Sequence, residues 1–259
     1  MGPRGWWAVQ TRATQRNIAA GLGVASILLL VVVSLAVPRH APPAVVIVAS
    51  AASTPAPLLA AITATPSVVV TPAPIAAGIQ TVGTLKELGD RFGEPPDAKR
   101  GRFRIPQLGI DAPLGVRAVL PPDLVMHAPT GPADVVMYDF SADTRYGGSP
   151  GAGGNAIFSG HVDYSYKLPY AAANYHGRAV FWDVRLLAAG DTIEIVVDGQ
   201  TLRYAVQWRQ LVTVEQANWD QLLSRRVGAD VITLITCDGA FNPATQEYAS
   251  RTVVRAVRV

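Results

Sequence analysis

Eight short runs of β-forming residues, separated by turn signals, most restrict the fold of this chain. They occupy residues 102–105, 109–114, 135–138, 155–160, 192–197, 202–208, 231–236 and 252–259. Runs of this length and spacing, with few helical patterns between them, predict a barrel or a sandwich. In the run 202–208 every second residue is apolar, which predicts that one face of that strand lies in a core.

The N-terminal part of the chain differs sharply in composition from these runs. Residues 17–37 are almost all apolar and carry no charge, and about 20 such residues suffice for a helix to span a bilayer. Three arginines precede the stretch and one soon follows it, which predicts a cytoplasmic segment 1–16 and an extracellular remainder. Small residues at 34–36 leave a cleaved signal peptide as the alternative. The length of the stretch favours an uncleaved anchor.

Residues 38–100 read as a linker between this anchor and a folded domain. The segment is rich in Ala, Pro and Thr, and no charged residue occurs between Arg39 and Lys86. Its prolines interrupt every apolar piece, which predicts a disordered, extended spacer. Residues 84–92 could form a short amphipathic helix that ends at Gly93. The folded domain is predicted over 101–259, with a second short helix at 215–223.

Cys237 is the only cysteine of the 259 residues, so no intramolecular disulfide can form. It follows the apolar run 231–236 and precedes Asp238 and Gly239, a pair typical of turns. We therefore expect the strand to end at the sulfur and to leave the thiol at the rim of the sheet. From this segment alone, a nucleophile and a buried structural thiol are equally good interpretations.

Two further residues could complete a site around the thiol. His161 follows the run 155–160, so it also lies at the end of a strand and could act as a base. His127 is its main rival, but it lacks such a strand. Arg251 begins the last run, where a hairpin with the cysteine strand would make it a neighbour of Cys237 and a candidate for binding an oxyanion. Asp163 could orient the imidazole of His161.

The chain resembles a known family, the sortases. The resemblance rests on Thr233-Leu234-Ile235-Thr236-Cys237, on Ser159-Gly160-His161-Val162-Asp163 and on Arg251-Thr252-Val253-Val254. The opening segment 104–114 is similar to the first strands of the class E and class F branches. The resemblance covers about residues 102–259 and implies an all-β fold, a closed eight-stranded barrel with one or two short helices.

The resemblance also implies an activity, that of a membrane-anchored cysteine transpeptidase outside the cytoplasm. Cys237 would attack a carbonyl within an LPxTG-like sorting motif near the C-terminus of a secreted protein and form a thioacyl intermediate. An amine of the cell envelope or of a pilin subunit would then resolve it. His161 would serve as acid and base, Arg251 would hold the substrate and the oxyanion, and Thr236 would contact the substrate.

Two alternatives stay open at this stage. An L,D-transpeptidase of the cell wall uses the same residue types, but Thr236 precedes Cys237 where that family has a His-Gly-Cys signature. The other alternative is an inactive, membrane-tethered barrel that only binds peptide.

The net charge of +3 comes from scattered residues, which does not indicate nucleic-acid binding. No metal or cofactor motif occurs, and Asp238 is expected to disfavour the thiolate.

Overall fold

The computed structural model describes residues 79–259. The predicted cytoplasmic segment 1–16, the predicted anchor 17–37 and most of the predicted linker lie outside the described residues. Between residues 79 and 259, no helix combines the length and apolar character needed to cross a membrane.

Twelve strands, two α-helices and two 3-10 turns make up the described part of the chain. In chain order they are β1 (Gln80–Val82), α1 (Leu85–Phe92), β2 (Gly101–Ile105), a 3-10 turn (Pro106–Leu108), β3 (Ile110–Ala118), β4 (Val135–Asp139), β5 (Gly154–Gly160), β6 (Asp163–Tyr164), β7 (Ala173–Tyr175), β8 (Gly177–Arg178), a second 3-10 turn (Val184–Leu186), β9 (Thr192–Val197), β10 (Gln200–Thr213), α2 (Trp219–Leu223), β11 (Asp230–Asn242) and β12 (Glu247–Arg258).

Eight of these strands close into a barrel in the order β10, β12, β11, β5, β4, β3, β2 and β9. Each barrel strand contains most or all of one of the eight runs predicted from the sequence, so the prediction of an all-β, closed eight-stranded barrel is confirmed. Most neighbours run antiparallel, but β3 pairs with β4 and β5 pairs with β11 in parallel. The two remaining small sheets pair β1 with β7 and β6 with β8.

The barrel interior is filled by apolar side chains that alternate along each strand. Phe103 is one of these buried side chains, with its ring 5.4 Å from that of Phe158 and 5.5 Å from that of Phe181. On β11, Leu234 points into this core, whereas Ile235 belongs to a second buried cluster on the outside of the sheet. Because side chains alternate along a strand, Cys237 shares the outer face with Ile235.

β11 does not end at the sulfur, so that prediction was wrong. The strand continues to Asn242, and a β-bulge between Asp238 and Phe241 absorbs the apparent turn. Gly239 takes a φ of 81° there, a conformation that glycine adopts without strain. Beyond the bulge, the rings of Phe241 and Tyr248 pack 5.0 Å apart across the hairpin.

The helix predicted at 84–92 is confirmed as α1. Thr84 caps it, since its Oγ1 accepts a hydrogen bond from the amide of Glu87, and Gly93 ends it with a φ of 71°. Leu88 is fully buried, in a third cluster that includes Tyr175. β1 and α1 fall within the range assigned to the linker, and they pack against the β7 region of the folded domain.

The helix predicted at 215–223 is shorter than expected. α2 begins only at Trp219 because Asn218 caps it, with its side chain accepting a hydrogen bond from the amide of Gln221. The preceding residues form a turn, in which the indole Nε1 of Trp219 donates to the carbonyl of Val214 at 2.9 Å. The buried Leu223 then places α2 against the outer cluster beside Ile235.

Gly160, at the end of β5, tests how tightly the strand before His161 is packed. A Cβ at this position would lie 2.7 Å from Cγ of the buried Phe181 ring. We expect Gly160→Ala to lower the free energy of unfolding by about 1–3 kcal/mol. Gly89→Ala in α1 meets nothing within 4 Å and should raise it by about 0.5–1 kcal/mol. Urea unfolding of both variants measures this, and equal stabilities would contradict the packing described.

Candidate active site

Cys237 and Arg251 face each other on adjacent antiparallel strands. They are directly paired in the register of β11 and β12, and both are largely buried, with 8% and 4% of their surface exposed. Nη1 of Arg251 donates to the carbonyls of Tyr248 and Ser250, each at 2.8 Å. These two bonds hold the guanidinium group on the side of the sheet where the thiol lies.

His161 reaches the same edge through the neighbouring strand. β5 and β11 run parallel, and Ser159 pairs with Ile235. Two residues further along the chain lie His161, just after β5, and Cys237, within β11, so the register places the two residues level with each other where β5 ends. Nε2 of His161 lies 3.3 Å from the carbonyl oxygen of Pro129, and the ring packs edge-on against Tyr164.

Thr236 fixes the segment that carries the histidine. Its side chain is buried, and its Oγ1 donates to the carbonyl of Gly160 at 2.9 Å. This bond connects the residue before the cysteine with the residue before His161. The structure therefore gives the hydroxyl a partner within the protein, and the predicted contact of Thr236 with substrate stays a prediction.

Burial shifts both members of the cysteine–histidine pair towards their neutral forms. It raises the pKa of the Cys237 thiol to about 11, an increase that the nearby Arg251 opposes and that the carboxylates of Asp163, Asp238 and Glu247 reinforce. Burial also lowers the pKa of His161 to about 4, against the effect of the Pro129 carbonyl. At pH 7 the resting site therefore holds a thiol and a neutral imidazole.

The contact with Pro129 also selects the tautomer of that imidazole. A carbonyl oxygen can only accept a hydrogen bond, so Nε2 of His161 must carry the hydrogen when it bonds to Pro129. In this tautomer Nδ1 carries the lone pair that can accept a proton. The arrangement can take a proton from a thiol, stabilise an anion beside Arg251 and return the proton to an amine.

Asp238 was expected to act on the thiol and Asp163 on the imidazole, but each carboxylate accepts a hydrogen bond from another group. The carboxylate of Asp238 accepts hydrogen bonds from Oγ1 of Thr252 at 2.5 Å and from the amide of Gly239 at 2.6 Å. It raises the pKa of the thiol, as expected, but less than Asp163 does. Asp163 accepts a hydrogen bond from the phenol of Tyr248 at 2.6 Å, so its carboxylate is directed to β12.

The loop before β4 contributes to the site in a way that sequence reasoning missed. Asp134 is fully buried and accepts hydrogen bonds from the amides of Thr130 and Gly131 at 2.9 and 2.7 Å. Burial raises the pKa of this carboxyl to about 6. The turn that it organises presents the Pro129 carbonyl to His161. The sequence signal was an aspartate four residues after Thr130 in a Gly-Pro turn.

The remaining candidates can be placed as well. The rival histidine, His127, is anchored through its backbone, whose carbonyl accepts a hydrogen bond from the phenol of Tyr138 at 2.9 Å. Across residues 79–259, no group of three or more His, Cys, Asp or Glu side chains is arranged to hold a metal ion.

Removal of the Thr236 hydroxyl tests its structural role. Thr236→Val should lower the free energy of unfolding by about 1–3 kcal/mol, because the buried hydrogen bond to the carbonyl of Gly160 is lost. Thr236→Ser keeps the hydroxyl, and it should be the less damaging of the two substitutions. Urea unfolding of the two variants compares them. A valine variant as stable as the serine variant would show that the bond does not hold the segment.

The lowered pKa of His161 predicts a pH-dependent stability. The unfolded chain binds a proton on this histidine below about pH 6.5, whereas the folded protein does so only near pH 4. The stability of the wild type relative to His161→Gln should therefore be full above pH 6.5 and fall as the pH drops towards 4. Urea unfolding of both proteins from pH 7 to pH 4 measures the difference. A constant difference would contradict the lowered pKa, since Asp134 titrates in both proteins.

The chain is similar to known proteins in sequence and in structure. A family model of the sortase domain matches residues 103–259. Sortase A of Corynebacterium diphtheriae, as a lid mutant, shares 24% identity over 68% of this chain and 76% of its own, with a TM-score of 0.42. Sortase C of Clostridium perfringens shares 18% over 61% and 68%, with a TM-score of 0.42. Sortase C1 of Streptococcus agalactiae shares 20% over 64% and 69%, with a TM-score of 0.43. No curated protein matches.

Because the family model covers more than half of the sequence, the chain belongs to the sortase family of cysteine transpeptidases.

Proposed function

We propose that this chain is a membrane-anchored transpeptidase that cleaves an LPxTG-like sorting motif of secreted proteins and transfers them to an amine of the cell envelope or to a pilin subunit. Cys237 is the nucleophile, His161 the acid and base, and Arg251 the group that holds the oxyanion. The observation that carries the proposal is the register. It sets Cys237 opposite Arg251 on β12 and level with the end of β5.

In the first half-reaction, the sulfur of Cys237 attacks the carbonyl carbon before the scissile bond. The thiol proton passes to His161, and the carbonyl oxygen becomes an oxyanion beside Arg251. When the tetrahedral intermediate collapses, the carbon–nitrogen bond breaks and the leaving amine takes the proton from the imidazolium. The acyl group then remains on the sulfur as a thioester.

In the second half-reaction, an amine of the acceptor attacks the thioester carbonyl. His161, neutral again, accepts the proton that the amine loses, and Arg251 holds the second oxyanion. Collapse of this intermediate breaks the carbon–sulfur bond, forms the new amide and returns the proton to the sulfur. The low pKa of His161 suits this role, because the free base is abundant at neutral pH.

The sequence and the family support the proposed location and substrate. The apolar stretch 17–37 with its preceding arginines supports a single-pass anchor with a cytoplasmic N-terminus. The motif Thr233-Leu234-Ile235-Thr236-Cys237 supports a sorting motif of the LPxTG kind, and the assignment to class E or F rests on segment 104–114. The match to the sortase domain argues against an L,D-transpeptidase. An inactive peptide-binding barrel is the outcome that the following experiment would reveal.

The proposal is tested by removal of each group in turn. Cys237→Ala should abolish cleavage of an LPxTG peptide and the thioacyl adduct detected by mass spectrometry. Arg251→Ala should lose about 100- to 1000-fold in kcat through loss of oxyanion binding, and His161→Ala about 100- to 10000-fold through loss of acid–base catalysis. His127→Ala is the matched control and should keep wild-type activity. Cleavage by Cys237→Ala would rule out the proposed nucleophile, and an inactive wild type without an adduct would indicate the binding barrel.

A further inference from the structure

A hydrogen bond connects the two segments that carry His161 and Arg251. Asp163 lies two residues after His161, at the start of β6, and Tyr248 lies three residues before Arg251, on β12. The phenol of Tyr248 donates to Oδ2 of Asp163 at 2.6 Å. These segments come from opposite sides of Cys237 in the sheet order β5, β11 and β12, so this contact bridges the cysteine strand.

Tyr248 also touches the arginine directly through its backbone. Its carbonyl accepts one of the two hydrogen bonds from Nη1 of Arg251, at 2.8 Å. The same residue therefore holds the guanidinium with its main chain and the segment of His161 with its side chain. Its ring packs on Phe241 from the facing strand, which restricts the direction in which the hydroxyl points.

The histidine side of the bridge is equally well anchored. The amide of Phe181 donates to the carbonyl of His161 at 2.9 Å, and the amide of Ala179 donates to that of Val162 at 3.0 Å. Asp163 itself pairs with Arg178 in the small sheet of β6 and β8. A shift of the Asp163 carboxylate would therefore move the short, hydrogen-bonded segment that carries the imidazole of His161.

Charge distinguishes this bridge from an ordinary surface contact. Among the carboxylates that raise the pKa of Cys237, Asp163 has the largest effect. Burial, followed by the bond to Asp163, raises the pKa of Tyr248 above its ordinary value. The phenol is therefore protonated at neutral pH and acts as a donor. A carboxylate that disfavours the reactive thiolate has a cost in this site, and a positioning role explains its presence.

We propose that Asp163 and Tyr248 form a positioning pair that sets the distance between His161 and Arg251 across the nucleophile during transpeptidation. The inference rests on the functions proposed above for His161 and Arg251. It assigns no contact with substrate to either member of the pair. Instead, the bond keeps the base and the oxyanion-binding group in register, and misplacement of such groups by about 1 Å can cost roughly 100-fold in rate.

Three substitutions separate the bond from the charge. Tyr248→Phe removes the donor and keeps the ring and the carboxylate of Asp163. Asp163→Ala removes both acceptor and charge, whereas Asp163→Asn removes the charge and keeps an oxygen that can accept the hydrogen bond. Tyr166→Phe is the matched control, because it deletes a hydroxyl that contacts Gln246 on the same hairpin at 3.3 Å.

We expect Tyr248→Phe and Asp163→Ala each to lower kcat for thioacyl formation roughly 10- to 100-fold. The double variant should be no slower than either single variant, because both remove one bond. Asp163→Asn should keep kcat within about threefold of the wild type, and Tyr166→Phe should leave it unchanged. Wild-type kcat in Tyr248→Phe, or losses that multiply in the double variant, would overturn the proposal.

Alkylation of Cys237 by iodoacetamide across pH provides a readout that needs no sorting peptide. Asp163→Asn and Asp163→Ala should react faster than the wild type at a given pH, because a carboxylate that opposes the thiolate is gone. Tyr248→Phe should not react faster. Faster alkylation with slower acylation in Asp163→Ala identifies a positioning role, whereas parallel changes of both rates in all variants would show that the pair only tunes the thiol.

Hydrogen exchange keeps the inference testable if the wild type does not cleave the peptide. Amides of residues 161–166 should exchange faster in Tyr248→Phe than in Tyr166→Phe when the bond holds this segment. Equal exchange in the two variants would overturn the positioning role. An inactive wild type with the expected exchange difference would instead count against the proposed function and leave the structural bridge supported. Urea unfolding confirms that each variant is folded.

Discussion

The parallel pairing of β5 with β11 is the constraint on which the site depends. β5 and β11 run in the same direction, so the residue that follows β5 lies level with a residue within β11 that is the same number of positions along the register. An antiparallel pair would place the end of one strand beside the start of the other. The antiparallel return of β12 then carries Arg251 to the position opposite Cys237. Strand direction and register thus bring His161, from a distant part of the chain, level with Cys237 and Arg251.

A buried polar link holds this register. Asn155 on β5 and Thr233 on β11 are both fully buried, and Oγ1 of Thr233 donates to Oδ1 of Asn155 at 2.6 Å. The side-chain amide of Asn155 also donates to two carbonyls, that of Leu222 in α2 and that of Ser224 just after it. A slip of one residue would turn these groups to the opposite face and leave buried polar atoms unpaired. The same slip would also disrupt the apolar core, because the side chain of Leu234 would turn out of the barrel interior.

Much of the fold could be predicted from the sequence because short β-forming runs separated by turn residues mark each barrel strand. Cys237, His161 and Arg251 could also be found, since each lies beside a β-forming run. The end of β11 could not, because Asp238 and Gly239 are typical of a turn, and only the partners on β12 reveal a bulge. Pro129 acts through its backbone carbonyl, a role that its residue type does not indicate. Asp134 accepts hydrogen bonds from backbone amides, and only its position after the Gly-Pro turn hints at that role.

The strands that extend past the site explain why side-chain contacts are needed there. The barrel core ends near Leu234 and Val254, and the hairpin beyond Cys237 has little apolar packing beneath it, with Phe241 44% exposed. Main-chain pairing alone leaves such a hairpin only marginally stable. Yet the hairpin begins at Cys237 and Arg251, the residues that we propose as the nucleophile and the oxyanion-binding group. Any motion of it relative to β6 therefore changes the site, and contacts between the two segments stabilise the arrangement that the reaction requires.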